Sequence, residues 1–337
     1  NLSENILRSV KSKGFKYIDL PSVIEADHIV QRSGESFRKF IFSFIDYDGK
    51  ELCLRPDLTI VSCLRYLENN LKGKEKIFYS GQAYRKSQNK KDSIIRNQIG
   101  FEVLGSKDEK NDDKEIINTS LKALQNIKYS SGMLTIGNVE IFKLLVQKLD
   151  LPTRWKLRLL RHFWREDYFN DLLKRLETNA DIDPTTVAID QKKYLDLLKK
   201  DPSTMIAGRS IGEILNRFDA KMNDPRRASK GKKVSAIIRS FLKIKCPINS
   251  AAKELNKFFK KNKINLVIDQ KYFPISSNKV SNLNVVFSAS FGRQLEYYTG
   301  MVFKIDIKSK SKTISLCAGG RYDGLIFDLG SKKQVPA

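Results

Sequence analysis

The chain has 337 residues, enough for one large or two ordinary domains with real hydrophobic cores. Hydrophobic residues make up 41% and charged residues 30%, which excludes a disordered chain, and no apolar run approaches membrane-spanning length. Lys and Arg total 62 against 38 acidic residues, a net charge of +24, but the excess is mostly Lys spread along the chain without a compact Arg stripe, so no nucleic-acid partner is expected. Ser3 fits the cap of a helix over residues 4–13, with Ile6, Leu7 and Val10 inward and Gly14 ending it. Residues 15–21 read as extended. From Phe40 to Leu54 the pattern has period two, and Asp48-Gly49 between two strand-like runs predicts a hairpin with both turn residues at positive φ. A helix over 59–70 follows, with Val61, Leu64 and Leu67 inward. A second hairpin pairs a strand over 77–85 with one over 94–104, across a polar loop at 86–93. Next come a helix over 114–128, a strand over 133–136 and a helix over 139–149.

Residues 152–263 are helical in character and strongly basic, with helical spacing over 154–177 and 211–218 and a loop over 224–233. Strand character returns at 283–290, 297–307 and 313–317. Strands early and late with helices between argue for an α+β fold on a mostly antiparallel sheet. The expected organisation is a core in two parts, residues 1–150 and 265–337, around a basic helical region at 151–264. The chain has no Gly-x-Gly-x-x-Gly and no Walker-type loop, which argues against a Rossmann or P-loop nucleotide site. Cys53, Cys63, Cys246 and Cys317 are scattered, and His28 and His162 are the only histidines. Neither a metal site nor a disulfide framework is expected, no cofactor is implied, and reduced thiols point to the cytoplasm.

Several short segments place polar groups where chemistry is possible. In Leu54-Arg55-Pro56-Asp57-Leu58-Thr59 the proline stops a strand, and Asp57 and Thr59 point the same way on extended backbone. Together they suit an ammonium group; either one equally suits the cap of the next helix. Arg85 ends a strand, where its guanidinium suits a phosphate or carboxylate. Gln98, Gly100 and Glu102 share one face of the return strand, and the glycine suggests a ligand lying against the backbone. Arg293 precedes Tyr297-Tyr298 in a turn, an arrangement that lines pockets or simply packs a loop. Gly319-Gly320-Arg321-Tyr322-Asp323-Gly324 is a second glycine-rich turn.

Taken in order, these segments resemble the histidyl-tRNA synthetases of class II. Residues Leu54 to Thr59 resemble that family's Leu-Arg-Pro-Glu-Gly-Thr signature. Gly81 to Arg85 with Gln98 to Gly105 is similar to motif 2, Arg293 to Gly300 to the histidine motif, and Gly319 to Leu325 to the lead-in of motif 3. The resemblance implies a class II antiparallel sheet flanked by helices, and a histidine pocket. In that pocket Asp57, Thr59 and Gln98 would hold the α-amino group and Glu102 and Tyr297 would face the imidazole. Tyr298 would flank it, Arg293 would lie near the carboxylate or the phosphate being attacked, and Arg85 would meet the ATP α-phosphate in a working synthetase.

The departures point to a paralogue. Motif 2 normally carries a glutamate two residues after its arginine, whereas Arg85 is followed by Lys86-Ser87, with Lys90 or Lys91 the remaining basic candidates in the loop. The pair Asp57-Leu58 replaces Glu-Gly, and Gln294 replaces a glycine. Leu-Arg-Pro-Asp-Leu-Thr is similar to the variant found in ATP phosphoribosyltransferase regulatory subunits, and Ala207 to Ile214 resembles part of their middle region. This resemblance implies a non-catalytic subunit acting in the first step of histidine biosynthesis. It would pair with a short catalytic subunit in a hetero-octamer and transmit feedback by histidine. It also implies a self-dimer through residues 18–34. An active histidyl-tRNA synthetase is the alternative, and a synthetase-like RNA-binding module a third.

Overall fold

The computed structural model describes residues 2–33, 35–69, 73–87, 93–125, 127, 129–178, 184–206, 208–222, 228–292, 297–309 and 312–337. They form two compact units: residues 1–140, 245–254 and 268–337, and residues 141–244 with 255–267.

Helix α1 (Leu2–Lys11) already includes Ser3, which therefore does not cap it. Gly14, at φ 81°, turns the chain into β1 (Lys16–Tyr17). Strand β2 (Val23–Glu25), α2 (Ala26–Ser33) and a 3-10 helix (Glu35–Phe40) come next. The first hairpin joins β3 (Ser43–Ile45) to β4 (Glu51–Leu54) and starts later than the alternation suggests. Phe40 ends the 3-10 helix with its ring 5.8 Å from that of Phe37, so local ring packing overrides strand propensity there. The turn differs too. The Asp46 N–H donates to the Lys50 carbonyl (2.8 Å), leaving three residues at the tip. Gly49 is at φ 78° while Asp48 is not among the positive-φ residues, so this is a three-residue loop rather than a two-residue one.

Then follow α3 (Thr59–Glu68), the long hairpin of β5 (Glu75–Tyr84) and β6 (Ile95–Leu104), and α4 (Glu109–Leu124). Helix α4 starts earlier than the apolar spacing indicates because Asp108 caps it, accepting the Asn111 N–H at 3.4 Å. After β7 (Ser131–Asn138) and α5 (Val139–Lys148) come α6 (Thr153–Arg161), α7 (Glu166–Glu177) and α8 (Pro184–Lys200). A short hairpin, β8 (Met205–Ile206) and β9 (Arg209–Ser210), leads to α9 (Ile211–Met222) and α10 (Ala228–Leu242). The continuous helical spacing of 154–177 is thus two helices, and the expected loop over 224–233 is helical from Ala228. The rest is β10 (Lys245–Pro247), α11 (Ala251–Lys261), β11 (Lys279–Val280), β12 (Leu283–Ser288), β13 (Met301–Ser309), β14 (Lys312–Gly320) and α12 (Leu325–Asp328). Tyr297 and Tyr298 precede β13 in a turn instead of lying on the strand.

Three sheets build the first unit, in orders β1-β5-β6, β2-β4-β3 and β10-β12-β7-β13-β14, with β11 added beside β12. Pairing is antiparallel except for β1 with β5 and β12 with β7. This is the α+β arrangement that the distribution of strands implies. Ile29, Ile41, Leu58, Ile60 and Leu104 are fully buried at its core. The second unit is helical apart from β8 and β9, and its core is aromatic. Phe142 stacks on Phe163 (3.8 Å between centroids) and meets Phe169 edge-on (5.8 Å), with Trp155 fully buried. Among the described residues no helix is long and apolar enough to cross a membrane.

Candidate functional site

The site begins with Arg55, which is buried and pins the end of β4. Its Nε donates to the Gln82 carbonyl (2.8 Å) and its Nη1 to the carbonyls of Leu20 and Pro21. Gly81 opposite leaves room for the guanidinium, which a Cβ there would strike. With the strand end fixed, Asp57 and Thr59 open α3 beside β5 and β6.

On β6 the period of two holds. Gln98, Gly100 and Glu102 pair with Gly81, Tyr79 and Ile77 of β5. Glu102 is the hub. The Thr59 hydroxyl donates to its Oε1 (3.3 Å), the Tyr79 hydroxyl to the same oxygen (2.5 Å), and the Tyr322 hydroxyl to Oε2 (2.6 Å). Three hydroxyls thus orient one carboxylate, leaving little of its acceptor capacity unused. Gly100 is explained by this network: a Cβ there would collide with the Tyr79 ring, so the glycine makes space for a tyrosine rather than for a ligand alone.

A cavity of about 120 Å³ is lined in part by Thr59, Tyr79, Gln98, Glu102 and Tyr298. Tyr297 packs edge-on against Tyr298 (5.0 Å) and Tyr322 (5.8 Å). Asp57 accepts the Ile60 N–H at 3.0 Å, so it does cap α3, while its charge is felt by Glu102 and Tyr297. Arg85 stands at the end of β5. Its Nε donates to the Pro56 carbonyl (2.6 Å), its guanidinium lies 5.9 Å from the Phe37 ring, and its field partly opposes the upward shift that burial imposes on Asp57. Six of the eight residues singled out from the sequence, Asp57, Thr59, Gln98, Glu102, Tyr297 and Tyr298, therefore gather here, with Arg85 at the margin. The eighth, Arg293, lies outside the described residues, as do Lys90, Lys91, Gln294 and Ala207.

Burial raises the pKa of Glu102 above the ordinary carboxylate range, against the opposing pull of the Tyr322, Tyr79 and Thr59 hydroxyls. Burial also raises Asp57, opposed by the Ile60 N–H and by Arg85. Two desolvated carboxyls beside a small cavity are the complement of a small cation, such as the ammonium and ring of a basic amino acid.

Tyr79 and Tyr322 are the residues that reading the sequence missed. Tyr79 left a signal, since a bulky residue directly opposite a strand glycine shares its face. Tyr322 left only its place in the glycine-rich turn. That turn is fixed by Arg321, buried and bonded to Asp113 Oδ1 through Nε (3.0 Å) and Nη2 (2.7 Å), to Asp323 (3.0 Å) and to the Glu109 carbonyl (3.0 Å). Among the described residues no group of three or more His, Cys, Asp or Glu could hold a metal.

Comparison with known proteins gives the fold and the family. A relative from Brucella anthropi, named ATP phosphoribosyltransferase regulatory subunit, is 27% identical over 339 residues, 95% of this chain and 89% of its own. One of the same name from Allorhizobium ampelinum is 28% identical over 349 residues, 98% and 92% of the two chains. Among solved structures, one from Bacillus halodurans, titled an ATP phosphoribosyltransferase regulatory subunit/histidyl-tRNA synthetase, superposes with a TM-score of 0.57 at 20% identity, covering 100% of this chain and 75% of its own. A histidyl-tRNA synthetase from a Nostoc species gives 0.61 at 16% identity, covering 99% and 67%. These structures carry the fold, a class II synthetase-like α+β core. A family model described as histidyl-tRNA synthetase matches residues 1–337. With the fold, the ordered motifs and the whole-length match in agreement, the chain belongs to the histidyl-tRNA synthetase family.

Proposed function

We propose that this protein is the non-catalytic regulatory subunit of an ATP phosphoribosyltransferase, acting in the cytoplasm in the first step of histidine biosynthesis. The observation that carries the reading is the sequence after Arg85: Lys86-Ser87 stands where the synthetase motif has its glutamate, beside an otherwise coherent amino-acid pocket. Relatives covering nearly all of the chain bear the regulatory-subunit name. In this reading Asp57, Thr59, Arg85, Gln98, Glu102, Arg293, Tyr297 and Tyr298 surround histidine. Feedback follows if histidine binds the inhibited state of the assembly more tightly than the active one.

The subunit pairs with a short catalytic subunit, as a hetero-octamer, and with a second copy of itself. Support for self-association comes from the sheet that carries β2. Val23 on β2, Phe44 and Ile45 on β3 and Tyr47 in the turn beyond it are 41%, 45%, 66% and 93% exposed, apolar side chains of the kind an interface covers.

Mixing the purified chain with a short ATP phosphoribosyltransferase tests the proposal. Stimulated phosphoribosyl transfer that histidine inhibits is the expected result. Histidine-dependent ATP–pyrophosphate exchange by the chain alone would instead establish the second reading, an active synthetase, which the whole-length family match favours. For the pocket, calorimetry with histidine should show binding to wild type and not to Glu102→Ala. Equal binding by both would remove Glu102 from the site.

A further inference from the structure

The second unit carries a feature that the pocket does not use. From Arg154 to Arg165 the chain holds five cationic side chains and no acidic one. Helix α6 arranges them: Arg154, Arg158 and Arg161 lie four and three residues apart, on one face, with Leu157 among them. Leu157 is 61% exposed, and Arg161 is exposed. Arg158 lies 4.9 Å over the Trp155 ring and Arg165 lies 4.6 Å over Trp164, within cation–π distance of the two indoles. Among the described residues, Arg158, Arg161 and Arg165 form no ion pair. His162, between them, has its pKa lowered first by burial and then by the fields of Arg161, Arg165 and Arg158.

We infer that this face of α6 docks an acidic protein surface, one that offers carboxylates to Arg158, Arg161 and Arg165 and an apolar contact to Leu157. The inference rests on the regulatory-subunit reading, which makes the short catalytic subunit the partner. A second copy of this chain does not fit, because at +24 it would bring more positive charge to the same place. Nucleic acid fits less well. Trp155 is fully buried, Trp164 is capped by Arg165 and His162 is packed 4.5 Å from Tyr168, so the rings that would stack on bases are already engaged. Glu166 and Asp167 open α7 directly afterwards and would repel phosphates. Arginine beside exposed apolar surface suits the core of a protein interface, where arginine is enriched.

The experiment measures binding of a short catalytic subunit to the full chain by calorimetry, at low and high salt. The pair Arg158→Glu/Arg161→Glu should weaken binding at least about tenfold, and the neutral pair Arg158→Gln/Arg161→Gln should flatten its salt dependence. A matched reversal in the other unit, Lys107→Glu/Lys110→Glu, should change little; an equal loss there would reduce the effect to net charge and overturn the inference. Wild-type affinity that is indifferent to salt overturns it as well, without any variant. Tight binding by wild type and by the reversed pair alike overturns this inference alone. Failure of the wild type to bind the catalytic subunit overturns the regulatory reading along with it. Capture of a uridine homopolymer in preference to the catalytic subunit makes the face an RNA surface and likewise overturns the inference.

Discussion

Glu102 and Trp155 mark two opposite uses of a protein interior. Around Glu102 the first unit buries polar groups and satisfies them with one another: three hydroxyls on one carboxylate, and Arg321 on Asp113 and Asp323. Around Trp155 the second unit buries rings and leaves Arg161 and Leu157 exposed, with Arg158 half-buried over the indole. The first arrangement fixes side-chain positions at the cost of desolvated charge, as a binding pocket requires. The second gains stability chiefly from apolar area, and the exposed charge on α6 is available for association.

The sharpest way to break the contrast is to remove one charge from the first interior. Arg321→Leu should destabilise the protein by about 3–5 kcal/mol, because it strands Asp113 in a buried site. Urea unfolding measures it, and a neutral outcome would mean that Asp113 is readily rehydrated. The counterpart is Phe142→Ala, which empties the ring stack of the second unit and should also cost about 3–5 kcal/mol, with no effect on histidine binding. Gly100→Ala comes next. Its methyl group collides with the Tyr79 ring, so a loss of about 1–3 kcal/mol is expected together with weakened ligand binding in calorimetry.

Glu102→Gln sharpens the comparison through pH. The Glu102 pKa is raised by burial, so the fold favours its protonated form. That contribution is complete below the ordinary glutamate pKa and is lost as pH rises through the folded value. The stability of wild type relative to Glu102→Gln should therefore fall between acidic and neutral pH, as seen in melting temperatures. A constant difference would show that the hydroxyls fully offset desolvation. The smallest effect belongs to the surface. Arg158→Gln/Arg161→Gln should alter unfolding free energy by no more than about 0.5 kcal/mol, since among the described residues these side chains hold no ion pair.

Most elements and most of the pocket could be read from the chain before its fold was known. Period two over Gln98, Gly100 and Glu102 placed them on one face, and that face is where the hydroxyls converge. The misreadings have specific causes. Helix α4 began early because of a cap, the first turn lengthened by one residue, and the run over 154–177 split at His162. Each depends on a hydrogen bond or ring contact that hydrophobic spacing does not encode. The Arg face of α6 overturns the expectation of no compact Arg stripe, because charge averaged along the chain conceals it. It emerges only when Arg154, Arg158 and Arg161 are wound onto one helix face.

Local order, then, came from sequence alone: the strand faces, the hairpins, the ordered motifs and through them the family. Tertiary structure decided which distant groups share a proton or a charge. Tyr322 reaches Glu102 across 220 residues, and Arg321 reaches Asp113 across 208. Periodicity governs only neighbours a few positions apart, whereas such pairings arise from sheet order and from the desolvation that packing imposes.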